Sequence, residues 1–516
     1  MTGPTRDPAD ADDAWVLHRE TLGAVPHTWA DVEGDVMSTL VFGVGYQDLD
    51  PSTAGMTRLI AHLVHERIGA VAIPVGVDLT LSSTSFRATG SAEERASYLV
   101  RACRAVSSLD DLSDGELDVA RRSVRAGVGL DGLYVHRNAL STRYGLDGPG
   151  VAAANDSRLM DWSADEVVAL AQRWFHAGSA AVASSGRLPE GLELVLPPGR
   201  PMQRRPRPAD QFVGPAWAGT GTPGLELGVT ARLTDSPTVA MFAARVVRHA
   251  LLARLRSERG LIHDVELAGV LVDPTTLHCN FDLDPAGPLD IDRSLVAMLD
   301  VLRELADGGP ETEDLEIVRA QDLNALRSGW ERREWLPWFT AHVLRGNAVP
   351  LLSSEGRDLR AISAQDVAAV VRDFAAHALV TVPHEHVPGP DASAALWSFG
   401  AHQLSPLVHE PAPATSDDVV TYPGKPSSGL RDAAFELRGD MIRVVGPSSV
   451  LTLPLADIVL AARDADGEIE LVSRRGDVAW IDPSDYRGLK RAMPTILALL
   501  PAATSFSLAG KLDAPR

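Results

Sequence analysis

Two stretches of the chain, 200 positions apart, follow the same plan. Ser163 and Ser363 each precede an acidic residue by three positions, and each opens a run with apolar residues at helical spacing. A serine followed by an acid three residues later is a capping box, in which both side chains satisfy free backbone N–H groups at a helix N-terminus. Each predicted helix leads into a short apolar strand, over residues 180–183 and 378–382. The chain must therefore accommodate two similar units.

The starts of the two units match as well. Residues 40–44 read Leu-Val-Phe-Gly-Val and residues 225–229 read Leu-Glu-Leu-Gly-Val, and both runs are typical of buried strands. Long amphipathic helices are predicted after them, over 53–68 and 237–257. Two α+β domains can share such patterns by chance, but the conserved order of elements in both halves favours an internal duplication.

These patterns predict an α+β fold with two homologous α/β sandwich halves and a small β-rich C-terminal domain. Short alternating strands between Leu430 and Ile481, followed by a helix over 484–500, resemble a pleckstrin-homology-like barrel in architecture. The predicted division is an N-terminal extension 1–30, a first half 31–195, a linker 196–213, a second half 214–385, a Pro-rich connector 386–428 and the C-terminal domain 429–516.

Composition excludes several classes of partner. The 516 residues are too many for one hydrophobic core, and a net charge of −21 disfavours nucleic acid and anionic membranes. Cys103 and Cys279 lie far apart and form no disulfide framework. The first 15 residues are polar and acidic, and no apolar run reaches the roughly 20 residues that span a bilayer. We therefore expect a cytoplasmic protein without a membrane span.

One segment carries a chemical motif. Residues 55–63 read Gly-Met-Thr-Arg-Leu-Ile-Ala-His-Leu and follow the strand at 40–44 and a turn. This segment resembles the signature of the pitrilysin/insulinase-type peptidases, the inverted zincins, in which such a strand leads to a helix reading G-L-A-H-x-x-E-H. The two His of that signature, four apart, share one helix face and bind zinc, and the Glu between them deprotonates the metal-bound water.

The motif is incomplete in this chain. Aligned on Gly55, the first His is replaced by Arg58, the Glu by Ala61, and only the second His survives, as His62. Arginine has no lone pair for a metal, and alanine cannot act as a base. The family's third ligand is a Glu on a later helix, and the matching segment here, 115–126, ends in Arg-Ala where that Glu is expected. The sequence thus predicts no catalytic residue, no metal and no other cofactor.

A shifted metal site is an alternative. One turn further along the same helix, His62, His65 and Glu66 fall at spacings of three and four residues, which brings them to one face. Helix-end charges in solvent explain Glu66 equally simply, and Gly55 fixes the motif register without this site.

The second half contains another feature of the family. The segment 252–263 is similar to L-R-x-x-x-G-L-x-Y, whose Arg and Tyr bind the peptide carbonyl and stabilise the developing oxyanion in active members. Arg256 matches that Arg, and His263 replaces the Tyr. Equally, Arg256 and the nearby Arg259 fit exposed charges of an amphipathic helix, and His263 fits a residue at a strand edge.

The resemblance, which covers about residues 30 to 385, implies a clamshell of two halves around an extended peptide. Members of this family often work as pairs of one zinc-bearing and one silent subunit. We therefore expect a catalytically silent subunit, not an enzyme on its own, that forms a heterodimer with an active zinc peptidase paralogue and supplies Arg256 and His263. The alternatives are a stand-alone, metal-free peptide-binding or scaffolding protein, and a metal-dependent peptidase that uses His62, His65 and Glu66.

Overall fold

The computed structural model of the chain describes most of the sequence. The described residues are 16–32, 34, 36–125, 137–154, 162–201, 208–220, 222, 224–233, 237–347, 349, 351–383, 386–404, 419–431, 433–446, 450–463, 468–501 and 504–508.

The first half contains a six-stranded mixed sheet with helices packed on its outer face. Its strands are His18–Leu22 (β1), Val25–Trp29 (β2), Met37–Phe42 (β3), Val75–Leu79 (β4), Thr84–Thr89 (β5) and Ala180–Ser184 (β6). They lie in the order β1-β2-β6-β3-β5-β4. The helices are Met56–Ile68 (α1), Ala92–Ser107 (α2), Asp114–Arg125 (α3), Arg137–Tyr144 (α4) and Ala164–Trp174 (α5).

The second half contains an equivalent sheet. Its strands are Ala216–Thr220 (β7), Leu225–Arg232 (β8), Ile262–Asp273 (β9), Thr276–Pro285 (β10), Leu379–Pro383 (β11) and His402–Gln403 (β12). They lie in the order β12-β7-β11-β8-β10-β9. The helices are Pro237–Leu251 (α6), Asp290–Gly308 (α7), Thr312–Arg327 (α8), Gly329–Leu344 (α9), Leu352–Ala361 (α10), Ala364–Ala376 (α11) and Pro390–Phe399 (α12).

Five strands of each sheet have the same connectivity, which supports the predicted repeat, and the sixth differs: β1 pairs with β2 antiparallel, whereas β12 pairs with β7 in parallel. β2 pairs with β6 in parallel, as β7 does with β11, and β3 pairs with β6 antiparallel, as β8 does with β11. Both predicted capping boxes form: the Ser163 hydroxyl accepts from Glu166 N, and the Ser363 hydroxyl accepts from Asp366 N. The local signal in the sequence therefore fixes the position of the same helix in both halves.

Two segments lie in the sheets where the sequence predicts other roles. β1 and β2 fall within residues 1–30, predicted to be an extension, yet β2 pairs with β6 at the heart of the first half. α12 and β12 fall within the predicted connector 386–428, yet β12 pairs with β7. Their short lengths and mixed composition leave no strong periodicity, so long-range pairing places them.

In the described residues, the C-terminal domain contains two four-stranded sheets and one α-helix, and it begins at Val419, within the predicted connector 386–428, and not at 429. Its strands are Val419–Pro423 (β13), Ala434–Arg438 (β14), Met441–Val445 (β15), Val450–Pro454 (β16), Ile458–Arg463 (β17), Ile469–Ser473 (β18), Val478–Ile481 (β19) and Ser505–Leu508 (β20), with the helix Leu489–Leu497 (α13). The helix is shorter than predicted, because Gly488 turns at φ 84° just before it. It does not close the chain, since β20 follows and pairs in parallel with β17.

Each half lends one helix to the other. α9, from the second half, packs on the inner face of the first sheet, where Leu336 contacts Ala183. α4, from the first half, packs on the second sheet, where a Cβ on Gly228 would approach the Ala139 side chain to 3.0 Å. Glycine at 228 therefore permits a helix to sit close on the sheet.

Two arginines form hydrogen bonds between the halves where these helices pack. Arg345, just after α9, donates to Gly43 O at 2.9 Å and to Asp48 Oδ2 at 2.8 Å. Arg143, on α4, donates to Gly228 O at 3.4 Å and to His377 O. Gly43 and Gly228 occupy the same place in the two matching strand sequences, so in each half an arginine from the other half bonds the corresponding carbonyl. The internal repeat thus extends to the contacts that join the halves.

No helix in the described part of the chain is long and apolar enough to cross a bilayer.

The ion pair between Arg345 and Asp48 is the first contact to test. The Asp48 side chain is 1% exposed, and loss of one partner leaves a buried charge uncompensated. We expect Arg345→Ala to lower the free energy of unfolding by about 3–5 kcal/mol, and the double variant Arg345→Ala/Asp48→Asn to lose less than the sum of its single variants. Urea titration measures both. The exposed Arg259 provides the control, and an Arg345→Ala effect no larger than that of Arg259→Ala would refute the assignment.

Candidate functional site

The motif helix α1 lies inside the first half. Gly55 precedes it with φ 84°, a left-handed conformation that favours glycine, and so fixes where the helix begins. α1 packs against α2, α3 and α5, and residues 56–64 are all buried. The helix therefore begins at Met56, directly after Gly55, and its first nine residues belong to the core.

The degenerate positions face the interior. Arg58 is 4% exposed, His62 is 5% exposed and Ala61 is fully buried. Arg58 and His62 are four residues apart on the helix, which places them on one face. The Nε2 of His62 and the Nε of Arg58 are both out of contact with solvent. A guanidinium thus occupies the helix position that carries a metal ligand in the zinc-binding signature.

These residues do not fit zinc. A catalytic zinc site needs three protein ligands, and of the two ligand positions on α1, Arg58 and His62, only His62 offers a lone pair. Within the described residues, no group of three His, Cys, Asp or Glu side chains is placed to hold a metal ion. The segment of the expected third ligand ends α3, which does pack against α1, but Ala126 lies outside the described residues.

The alternative metal residues are not brought together. His62, His65 and Glu66 all lie in the described part of the chain, and they form no such group. His62 is buried, His65 is half-buried, and Glu66 is exposed. Their exposures differ because the last turn of the helix is buried on one side only, the side that carries Ile68.

A different acid occupies the end of α1. Glu116, at the start of α3, bonds Arg67 at 3.2 Å and caps its own helix through Ser113. These bonds lower the pKa of Glu116 to about 2, chiefly through the Ser113 hydroxyl. Glu116 lies near the start of the segment 115–126, which matches the helix of the family's third ligand. Its carboxylate caps its own helix and pairs with Arg67.

Arg256 and His263 are placed very differently from the motif. Arg256 lies on a π-helical turn, Leu252–Ser257, that extends α6, and His263 is the second residue of β9. Both side chains are exposed, and neither is joined by a hydrogen bond or ion pair to another described residue. π-Helical turns are rare and occur often at functional sites. The structure thus presents both side chains to solvent at one end of the second sheet.

A row of acids crosses the same sheet, and sequence spacing does not reveal it. Glu226 on β8 lies opposite Asp282 on β10, which lies opposite Glu266 on β9. Directly opposed residues in antiparallel strands share one face. Burial, followed by the charges of Glu226, Glu266 and Asp284, raises the pKa of Asp282 to about 6. We call Glu226, Asp282 and Glu266 the acid row.

The acid row is anchored at one end and open at the other. Glu226 is buried and accepts hydrogen bonds from Thr381 at 2.9 Å and from Asn138 of α4 at 3.3 Å. Glu266 is exposed on β9, the edge strand of the sheet. The carboxylates of the acid row therefore become more exposed from β8 toward the β9 edge.

Comparison with known proteins identifies the fold. No family model and no curated protein matches the sequence. A protease from Helicobacter pylori matches with a TM-score of 0.57 and 11% identity, over 72% of this chain and 100% of that one. A peptidase M16 inactive domain from Pseudomonas fluorescens gives 0.57 and 15%, over 71% and 97%. The periplasmic protease PqqL from Escherichia coli gives 0.55 and 12%, over 87% of this chain and 56% of PqqL.

The chain therefore has the fold of the M16 peptidases, the pitrilysin/insulinase type. At this level of identity the likeness shows the fold, and it confirms the resemblance drawn from residues 55–63. An inactive domain is among the structures that share the fold.

The different burial of Arg58, Arg256 and His263 predicts different losses of unfolding free energy when each is replaced by alanine. Arg58→Ala removes a large buried side chain, and we expect it to cost about 2–4 kcal/mol of unfolding free energy. Arg256→Ala and His263→Ala remove exposed side chains and should change it by no more than about 0.5 kcal/mol. Thermal and urea unfolding of the three variants decide this. An Arg58→Ala protein as stable as Arg256→Ala would show that Arg58 is not part of the core.

Proposed function

We propose that this chain is a catalytically silent M16-fold subunit that binds a peptide and pairs with an active zinc peptidase paralogue. The observation that carries the proposal is the buried pair Arg58 and Ala61 at the motif positions, where a metal ligand and a base would be needed. A site inside a packed core, with one donor of three, has neither the ligands nor the access that zinc hydrolysis requires.

The exposed side chains support a contribution to a partner's site. Arg256 and His263 carry hydrogen-bond donors, and both project into solvent with no described partner in this chain. Donors aimed at developing charge contribute strongly to catalysis only where they reach the reacting carbonyl. We assign them to the site of the zinc-bearing subunit, where they would contact the peptide carbonyl.

The edge of the second sheet supports peptide binding. β9 spans 12 residues and has a strand neighbour, β10, on one side only. An extended peptide can add to such an edge through main-chain hydrogen bonds. The acid row ends at this edge with Glu266, so a peptide with a basic side chain suits it best.

A cytoplasmic location is part of the proposal. Cys103 and Cys279 are free and buried. Burial raises the pKa of each thiol to about 12, so neither is a reactive thiolate. Two protected, unpaired cysteines suit a reducing compartment.

The zinc content of the purified protein directly tests whether the chain is catalytically silent. We expect less than about 0.1 zinc per chain after dialysis of the untagged protein, by elemental mass spectrometry, because three-ligand sites are needed for tight binding. His62→Ala should leave this value unchanged. Close to one zinc per chain, lost in His62→Ala, would refute the proposal and support the metal-dependent peptidase built on His62, His65 and Glu66.

Pairing is tested by reconstitution with M16 zinc peptidases encoded in the same genome. We expect one of them to form a stable complex with this chain and to cleave peptides faster in its presence. Arg256→Ala and His263→Ala should keep the complex and reduce the acceleration by roughly 100- to 1,000-fold, the range for loss of one oxyanion donor.

Arg259→Ala is the matched control, since Arg259 is also exposed and lies three residues beyond Arg256. If Arg256→Ala and Arg259→Ala reduce the acceleration of peptide cleavage equally, Arg256 has no specific role at the partner's site. A chain that stays monomeric and still binds peptide at the β9 edge would favour the stand-alone peptide-binding protein instead.

A further inference from the structure

A continuous chain of buried hydrogen bonds crosses the first sheet on its outer face. Arg95 Nη1 donates to Ser38 Oγ at 2.6 Å, and Ser38 Oγ donates to Ser184 Oγ at 3.2 Å. Ser184 Oγ lies 2.8 Å from His27 Nε2, and His27 Nδ1 lies 3.0 Å from Glu20 Oε1. The chain links α2, β3, β6, β2 and β1, and we call it the His27 chain.

The His27 chain runs in one direction. Arginine can only donate, so the Ser38 hydroxyl accepts from Arg95 and passes its own hydrogen to Ser184. When the Ser184 hydrogen is directed at His27 Nε2, that nitrogen accepts, and the imidazole is neutral with its hydrogen on Nδ1 directed at Glu20. This assignment gives each of the two hydroxyls in the His27 chain both a donor to accept from and an acceptor to donate to within the chain.

Burial keeps the His27 chain away from solvent except at its outer end. His27, Ser38, Ser184 and Arg95 are each no more than 2% exposed, whereas the Glu20 side chain is 38% exposed. Burial lowers the pKa of His27 from its ordinary 6.5, and the Arg95 charge lowers it further, while Glu20 opposes both. α9 packs on the opposite face of the sheet, and β3 and β6 contribute only the serines to the His27 chain.

A proton on His27 breaks the pattern. Nε2 then becomes a donor, and Ser184 must accept from it as well as from Ser38. The Ser184 hydrogen is left without an acceptor in the His27 chain, and an unsatisfied buried hydroxyl costs roughly a factor of ten or more in an equilibrium constant.

The strand that carries His27 has a short pairing with the rest of the sheet. β2 pairs with β6 through three residues, His27 to Trp29, whereas the equivalent β7 pairs with β11 through five. β1 lies at the sheet edge, where it pairs with β2 and where Leu22 O accepts from Leu194 N at 3.3 Å. Loss of the His27 chain therefore acts on a hairpin whose strand pairing to the sheet is short.

We propose that the His27 chain is an acid-sensitive lock, which holds the β1–β2 hairpin on the first sheet while His27 is neutral and releases it when His27 is protonated. Release turns β6 into an edge strand. The direction in pH follows from the lowered pKa: the hairpin's attachment is fully present above pH 6.5 and is lost as the pH falls through the folded-state value of His27.

Hydrogen exchange of the full chain, followed by mass spectrometry across pH 7.5 to 4.5, tests the lock. Protection factors, corrected for intrinsic exchange, should fall at least about tenfold for peptides in 18–29 while those of 216–220 stay unchanged. The second sheet, in which β7 pairs with β11 as β2 does with β6, serves as an internal reference. Parallel loss in both segments, or no loss in either, would overturn the proposal.

Glu20→Gln is the decisive variant. Because Glu20 raises the pKa of His27, its neutral replacement should move the release to lower pH, and the exposed position should tolerate the change. Glu190→Gln, also exposed and outside the His27 chain, should not move it. His27→Gln should make the protection of 18–29 independent of pH. If that variant does not fold, Glu20→Gln decides alone, and an unchanged or higher midpoint would refute the lock.

Discussion

The structure depends on an exchange of helices between two halves that cannot each cover both faces of their own sheet. α9 covers the inner face of the first sheet, and α4 covers the second. Both contacts bring a cationic side chain into a buried environment, where it must be paired to be tolerated. Arg345 meets Asp48 and backbone carbonyls, while Arg143 meets carbonyls, Asp210 and the ring of Phe212. Removal of one helix would expose a face of the other half's sheet and remove the arginine that pairs with buried groups there. Neither half is therefore complete alone.

This arrangement explains how the motif could be lost while the fold persisted. α1 is held by its apolar neighbours and by Gly55, and none of these requires a metal. With Ala61 fully buried and Arg58 nearly so, the helix contributes to the core as any amphipathic helix does. Arg256 and His263, in contrast, are exposed, and their side chains form no hydrogen bond or ion pair with another described residue.

The sequence predicts what is local and periodic. The two capping boxes, the apolar strands and the register set by Gly55 each depend on residues within a few positions of one another, and all are found where predicted. The hairpin β1–β2 and the short β12 were missed, because their places in the sheets depend on partners far along the chain. The acid row was missed for the same reason: Glu226 and Asp282 become neighbours only through strand pairing. The sequence shows directly that Arg58 and Ala61 stand at two motif positions, but it does not show that Arg58 is buried.

The distance along the chain between Asp48 and Arg345 has a consequence for synthesis. The two residues are 297 positions apart, so a ribosome that adds about 5–20 residues per second needs roughly 15–60 seconds to deliver the second after the first. During that interval the inner face of the first sheet has no α9 to cover it, and its apolar surface is available to chaperones or to another nascent chain. The first half is therefore made early but finished late, and the order of translation, as well as the final contacts, determines how safely this protein reaches its folded state.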